Sequence, residues 1–336
     1  MKEAILYKKL SQKSVQCRAC PNYCVLTPNT RGKCGVRENK NGKLYSLVYG
    51  KVAAINIDPI EKKPFFHFLP GTPSLSFGTV GCNLSCKACQ NWEISQEPKL
   101  TGKISGQQIL PAKIVEMAIK YNCPSISFTY TEPTVFVEFA LDTMKLAKKK
   151  GIKTCWVSNG YMSKETVDLI SPHLDAINID LKGFSDKFYK EYCGAMLDPV
   201  LENLITFKKR KIWVEVTTLA IPDIIGETTL ENIANFIVKN LGPETPWHVS
   251  RFFPEISWKL RHFFTTPTEL VQKACDIGIA KGLRYVYGGN VPGLASEDTY
   301  CPKCHAKMID RTGYVIERFD KNGKCSKCGA DLNIIE

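Results

Sequence analysis

Cys82, Cys86 and Cys89 lie in GTVGCNLSCKACQNW, directly after the apolar run LSF. Their C-x3-C-x2-C spacing puts three thiols on one tight loop at what reads as a strand end. Three thiolates are one short of the four that hold a cubane iron–sulfur cluster, so one iron would stay open to a further ligand. A zinc knuckle would want a fourth ligand at similar spacing, and the next downstream cysteine is Cys123. Three cysteines in one short loop are also awkward to pair as disulfides. The pattern points to a cluster with an open iron.

Two further groups of cysteines have complete ligand sets. Cys301-Pro-Lys-Cys304 and Cys325-Ser-Lys-Cys328 are two C-x2-C knuckles, the spacing of a zinc ribbon. Rubredoxin-like iron is the alternative there, and His305 is a bystander because four cysteines already complete the site. Cys17, Cys20, Cys24 and Cys34 follow an irregular C-x2-C-x3-C-x9-C spacing. Zinc as a staple and an auxiliary [4Fe–4S] cluster that relays electrons both fit that set. Cys123, Cys155, Cys193 and Cys275 are scattered.

The rest of the chain must position these residues. It has 336 residues, 15 cysteines and a formal net charge of +12. The length suits one α/β barrel with small appendages, or two ordinary domains. No apolar run is long enough to span a bilayer. MKEAILYKKLSQKS has neither an apolar h-region nor a small-residue cleavage site. The expectation is a cytoplasmic protein with no membrane partner. In a reducing compartment, clustered cysteines hold metal more often than disulfides. Lysine-rich runs at Lys148-Lys149-Lys150 and Lys208-Lys209-Arg210-Lys211 read as a solvated surface, or as a face for an acidic partner or RNA. No aromatic-and-basic stripe follows an RNA-binding signature.

Short β-rich runs alternate with amphipathic stretches through the middle of the chain. Strands are expected at 74–80, 125–130, 153–160, 176–183, 213–220, 247–253 and 284–289. Helices are expected from Ala112 to Tyr121, over 135–150, after Ser163, after the fourth strand, from Thr229 to about Lys239, and from Thr268 to Lys281. This alternation predicts an α/β fold with a parallel sheet. Six or seven βα units suit a partial or full barrel, with its chemistry at the C-terminal strand ends. Residues 1–72 form an N-terminal four-cysteine module with a hairpin turning at Asn41-Gly42. The barrel takes 73–290, led in by DPIEKKPFFHFLPGTP, and 291–336 is the zinc ribbon.

The central motif resembles the cluster loop of radical S-adenosylmethionine (SAM) enzymes. The resemblance implies a partial (β/α)6 TIM-like barrel and a [4Fe–4S] cluster whose open iron is chelated by SAM. It also implies reductive cleavage of the sulfonium to a 5′-deoxyadenosyl radical. Many such enzymes carry a Gly-Gly-Glu-type segment after the second strand, which grips the SAM amino group. Tyr130-Thr131-Glu132 stands in that place, which makes Thr131 and Glu132 candidates. The plain alternative is a loop carboxylate before Pro133. After the third strand, Ser158, Asn159 and Gly160 could bind the ribose or carboxylate of SAM, or simply make a turn. Asp180 and Lys182 flank one apolar residue at the fourth strand end, so both point to one face. This Asp-Leu-Lys resembles the segment of glycyl-radical-enzyme activases such as the pyruvate formate-lyase activating enzyme, where the pair lies beside SAM. A surface salt bridge is the alternative. His248 and Arg251 are further candidates for the same cavity, although a lone strand histidine is more often packed and hydrogen-bonded. Cys193, in KEYCGAML, is either a small core residue or a thiol that acts on substrate at the barrel mouth.

Over nearly its whole length the chain is similar to the AmmeMemoRadiSam system radical SAM enzymes. The matching pieces are CRACPNYC, GKCGVREN, LYSLVYGKVAAINIDPIEKKPFFHFLPG, GCNLSCKACQNWEISQ, TYTEPTVF, WHVSRFFP, RYVYGGNVPG and the cysteine-rich tail. That family is named for its association with AMMECR-type and Memo-type proteins. The resemblance implies these as partners, beside an electron donor such as ferredoxin or flavodoxin. It gives a reaction class rather than a product: hydrogen abstraction from a protein glycine or a small metabolite. One departure from the superfamily is Ala88, where an aromatic residue often precedes the third cluster cysteine; Trp92 is the candidate to shield the cluster instead. RNA modification is a second enzymatic reading. An electron carrier or zinc-stabilised scaffold is a third, but its cluster would need four protein ligands where the loop offers three.

Overall fold

Strands buried on both faces are what a parallel sheet between helices and a barrel interior requires, and every residue of Ser125–Phe128 is buried. The computed structural model describes residues 1–291 and 295–336, so the end of the RYVYGGNVPG segment lies outside the described residues. Its main sheet has eight strands in chain order. β1 (Ala54–Pro59) runs antiparallel to β2 (Pro73–Gly78). β3 (Ser125–Phe128), β4 (Lys153–Ser158), β5 (Ala176–Asp180), β6 (Trp213–Ala220), β7 (Trp247–Arg251) and β8 (Val286–Gly289) then follow, each parallel to the one before. Among the described residues no ladder joins β1 to β8. The barrel is therefore open. The sheet begins at Ala54, inside the stretch expected to belong to the N-terminal module.

Helices cover the outside. α1 (Trp92–Leu100) and α2 (Pro111–Lys120) lie between β2 and β3. α3 (Val137–Lys149), α4 (Lys164–Ile170), α5 (Asp198–Lys209), α6 (Glu227–Asn240) and α7 (Thr268–Ala280) each connect successive strands. Local chemistry sets several of their starts. Pro111 opens α2, where its missing N–H costs nothing. Ser163 caps α4 by accepting from Thr166 N. The core side of α3 packs Phe139 against Phe77, with ring centroids 5.2 Å apart. α1 was not expected; it contains Pro98 and buries the polar Ser95 and Gln96.

The segment 60–69 closes the lower end of the barrel rather than merely leading into it. Phe66 N and His67 N both donate to the buried Glu215 carboxylate at 3.0 Å. Pro64 O accepts from Asn178 Nδ2 (2.7 Å). The C-terminal module docks on this plug. Its antiparallel strands are Thr299–Tyr300, Lys307–Thr312 and Val315–Arg318. Ile335 exchanges backbone bonds with His67 and Leu69 at 2.8 Å. Arg311 lies 4.2 Å from the Phe66 ring and donates to Phe66 O (2.8 Å).

The N-terminal module sits near the other end, against α3 and α4. Arg37–Lys40 and Lys43–Ser46 form the expected hairpin. Asn41 and Gly42 turn it with φ of 53° and 85°, as a type I′ turn requires. Ion pairs fasten the module: Lys2 to Asp142, Arg18 to Glu165, and the buried Arg37 to Glu138 at 2.6 Å.

Candidate active site

The three-cysteine loop leaves β2 and is held from both sides. Ser85 N donates to Cys193 O (2.9 Å) and Lys87 N to Tyr192 O (2.8 Å). Opposite, Trp258 N donates to Cys89 O (3.1 Å) and Lys259 N to Lys87 O (2.9 Å). Cys82, Cys86 and Cys89 line a cavity of about 310 Å³ at the C-terminal strand ends, a size that suits a small-molecule site. Leu84 N (3.4 Å) and Asn159 Nδ2 (3.7 Å) donate to Cys82 Sγ. Burial pushes the Cys82 and Cys89 thiols up. For Cys86 a hydrogen bond with Cys193 leads, with burial adding to it. Metal loading here must release these protons. Three convergent thiols without a fourth in the loop fit a group that leaves one position open.

Glu132 is the keystone of the adjoining strand ends. It is 1% exposed. Its Oε1 accepts from Thr134 N (3.0 Å), Thr134 Oγ1 (2.6 Å) and Ser158 Oγ (2.9 Å). Its Oε2 accepts from Asn159 N (2.8 Å) and lies 3.1 Å from Ser158 Oγ. Burial pushes its carboxyl up against the pull of these donors. Thr131, Glu132, Ser158 and Asn159 all line the cavity. Asn159 also reaches the cluster loop, donating to Asn83 Oδ1 (2.9 Å). Gly160 follows with φ 71°, where a Cβ would stand 2.8 Å from Ile179 Cγ2. Tyr130, just before Thr131 and Glu132, takes a left-handed φ of 66°. The phenol holds it there, donating to Asp58 Oδ2 (2.7 Å) and accepting from Asn56 Nδ2 (2.9 Å).

Asp180 and Lys182 share the cavity wall as an ion pair of 2.7 Å. Burial alone would push Lys182 down, but the Asp180 carboxylate and the sulfurs of Cys86 and Cys193 hold it well above the usual lysine value. Cys193 is 1% exposed, lines the same cavity and is the strongest influence on the Cys86 thiol. It closes a short π-helical turn, Tyr189–Cys193, a distortion frequent at functional sites.

Other expected residues lie elsewhere. His248 does not line the cavity. It lies deeper, its Nε2 2.6 Å from Glu215 Oε2 and its ring stacked on Tyr287. Burial raises the Glu215 carboxyl, but His248 and the Phe66 N–H outweigh it and hold it below the usual range. Arg251 packs over Phe253, and its buried Nε has no partner. Trp92 packs under Arg261, away from the cavity lining. The cluster loop is covered instead by Ser257, Trp258 and Lys259, which carried no local signal. Thr217, Ser250 and Asn290 also line the cavity and were not anticipated; their only signal is a polar side chain near a strand end.

The two complete cysteine sets differ in geometry. The sulfurs of Cys301, Cys304, Cys325 and Cys328 all lie within 4.8 Å of one another. The pairs Cys301–Cys328 and Cys304–Cys325 stand at 3.6 Å, near the ~3.8 Å edge of a tetrahedron with metal–sulfur bonds of about 2.3 Å. This set can hold a single metal ion. Cys17, Cys20, Cys24 and Cys34 instead surround a second, small cavity beside the cluster loop.

Residues 77–237 match the family model described as the radical SAM superfamily. An uncharacterized protein of Methanocaldococcus jannaschii is 45% identical over 339 residues, covering 100% of both chains. The pyruvate formate-lyase-activating enzyme of Clostridium pasteurianum is 22% identical over 51% of this chain and 71% of its own. The crystal structure of Streptococcus suis SuiB bound to S-adenosylmethionine shares the fold, with a TM-score of 0.51 and 13% identity, over 67% of this chain and 52% of that one. A barrel with three thiols at its open mouth, matched by that family model, makes this chain an enzyme of the radical SAM superfamily.

Proposed function

We propose that this chain is a radical SAM enzyme of the AmmeMemoRadiSam type, acting in the cytoplasm, with a [4Fe–4S] cluster on Cys82, Cys86 and Cys89 and SAM on the open iron. With that cluster reduced and SAM bound, the site would supply one-electron cleavage of the SAM sulfonium to methionine and a 5′-deoxyadenosyl radical, and the hydrogen atom would come from a protein glycine or a small metabolite. The observation that carries this reading is the meeting of three thiols with Glu132, Asn159, Asp180 and Lys182 around one cavity.

Each group has a task there. Cys82, Cys86 and Cys89 give up their protons to bind iron. Glu132 fixes the ends of β3 and β4 and would accept from the SAM ammonium. Ser158 and Asn159 take the ribose or carboxylate. Asp180 and Lys182 hold a fixed pair of charges beside SAM, and Cys193 acts at the substrate side of the same wall. The likeness to a pyruvate formate-lyase-activating enzyme supports a protein glycine as substrate. A ferredoxin- or flavodoxin-type donor and AMMECR-type and Memo-type proteins are the proposed partners. The sulfur spacing at Cys301, Cys304, Cys325 and Cys328 supports structural zinc.

Anaerobic reconstitution with dithionite and SAM tests the reading. The expected products are 5′-deoxyadenosine and methionine. Replacing Cys82, Cys86 and Cys89 with Ala should abolish both products and remove about four irons per chain. A triple variant that still cleaves SAM refutes the assignment.

A further inference from the structure

The N-terminal cysteines are not spaced for a single ion. Among the described residues, the C-terminal four are the thiols whose sulfurs converge within 4.8 Å of one another. Cys17, Cys20, Cys24 and Cys34 face one shared cavity without converging to that distance. Cys82, Cys86 and Cys89 behave the same way around theirs. Thiolates on a cubane sit on separate irons, so their sulfurs stand farther apart than those on one ion. By spacing, the N-terminal set belongs with the cluster loop and not with the C-terminal knuckles.

The wall of the cavity agrees. Cys17 and Cys34 are buried, and Cys20 and Cys24 are half-buried. Arg37 lines the cavity and is 2% exposed. Its Nη1 and Nη2 donate to Glu138 at 3.1 and 2.6 Å, but its Nε has no partner. A buried N–H without an acceptor is costly, and the sulfur of an anionic cluster would satisfy it. Backbone and side-chain N–H groups already reach two of the thiols: Lys33 N to Cys24 Sγ (3.5 Å) and Asn22 Nδ2 to Cys20 Sγ (3.6 Å).

Position gives this site its use. Asn22 Nδ2 also donates to Asn83 O (3.0 Å), and Asn83 directly follows Cys82. Asn83 and Thr134, whose hydroxyl donates to Glu132, both line the N-terminal cavity. The two cysteine cavities thus adjoin, with Asn83 next to Cys82 and Thr134 bonded to Glu132. We propose that Cys17, Cys20, Cys24 and Cys34 hold a closed [4Fe–4S] cluster, a one-electron carrier set against the SAM site. With a thiolate on every iron it has no position for SAM. It takes one electron from a reduced ferredoxin- or flavodoxin-type donor, or from dithionite, and gives that electron to the cluster on Cys82, Cys86 and Cys89. No bond is made or broken at the N-terminal site itself.

The comparison with the central loop rests on the function proposed above, and the test separates the two. The full chain carrying Cys82→Ala, Cys86→Ala and Cys89→Ala is reconstituted anaerobically, and its iron, acid-labile sulfide and zinc are counted. About four irons and four sulfides are expected, with one zinc. Dithionite should then give an electron paramagnetic resonance signal of a reduced cubane that SAM does not alter. In the unsubstituted chain, a second signal should respond to SAM; its absence would sink the proposed function but not this site. Conversely, a triple variant with two zinc ions and no iron, or with iron but no sulfide, overturns the N-terminal cluster. Cys20→Ser in the otherwise intact chain gives the reciprocal result: about half of the iron lost and the SAM-responsive signal kept. Loss of that signal alone, with the other kept, overturns the proposal as well.

Discussion

Glu132→Ala separates the two tasks assigned to this carboxylate. The change removes the acceptor of two buried backbone donors, Thr134 N and Asn159 N. Each buried donor left unpaired costs about 1–3 kcal/mol. The Thr134 and Ser158 hydroxyls can turn to other partners, and removing a desolvated carboxylate returns part of the loss. A net destabilisation of about 3 kcal/mol follows, which for a chain of this size is a drop in melting temperature of roughly 4 °C. If Oε2 also accepts from the SAM ammonium, a charged hydrogen bond of about 1.5–3 kcal/mol is lost too, and SAM affinity falls roughly ten- to a hundredfold. Thermal melting of the reconstituted protein and equilibrium dialysis with SAM read the two effects separately. Iron content should stay unchanged, because no thiol is lost. A variant that melts with the wild type refutes the keystone role. A variant that melts early but binds SAM normally refutes the ammonium contact alone.

Two further outcomes follow from the lower end of the barrel. His67 is buried between Tyr287 Oη (2.6 Å) and Leu332 O (3.0 Å). Burial, with Arg311 adding and Glu215 opposing, pushes its pKa down to about 4. A lowered histidine pKa means the folded state resists protonation, so its contribution is present above about pH 6.5 and is lost as pH falls through 4. Unfolding titrations should show stability dropping by up to about 3 kcal/mol over that window, with a clearly smaller drop in His67→Leu; an equal drop in both proteins would mean that another group titrates. At the ribbon, Cys301→Ser or Cys325→Ser should release zinc and lower the melting temperature, because metal binding at a structural site is folding energy. Full zinc content after losing both residues would exclude these ligands.

The parts of the site that are legible in the sequence are those encoded locally. The C-x3-C-x2-C loop needs no partner to be recognised, and the strands declare themselves because a parallel strand is apolar on both faces. Strand alternation alone puts Asp180 and Lys182 on one face, and both line the cavity. His248 shows where that argument stops. Alternation puts it on the same face as Ser250, and register puts it beside Thr217, both of which line the cavity. Its ring is nevertheless taken up inside the barrel by Glu215 and Tyr287, partners from other segments of the chain that strand alternation does not reveal. α1 escapes a reading of periodicity because Pro98 and the buried Ser95 and Gln96 blur the helical period. The plug at 60–69 escapes it because its partners, Glu215 and Asn178, are far along the chain. The left-handed Tyr130 is similar: only Asp58 and Asn56, placed by β1, explain why a tyrosine can stand where a glycine is usual.

The cysteine modules divide the molecule by end. The C-terminal set sits on a module that clasps the plug, through Arg311, Ile335 and His67. Its sulfurs are set for one ion, and none of its four cysteines lines the cavity at the mouth. The N-terminal set lies at the mouth and meets the cluster loop through Asn22 and Asn83. Its position depends on Arg37 and Glu138, 2% and 0% exposed. A buried ion pair adds little net stability over an apolar pair, but losing one partner costs about 3–5 kcal/mol because a bare charge stays behind. Such a contact penalises small displacements more than it rewards docking. That is the property needed where one module must hold a fixed separation from another module's cysteines, and the C-terminal module carries no counterpart of equal burial against the barrel among the ion pairs of the described residues.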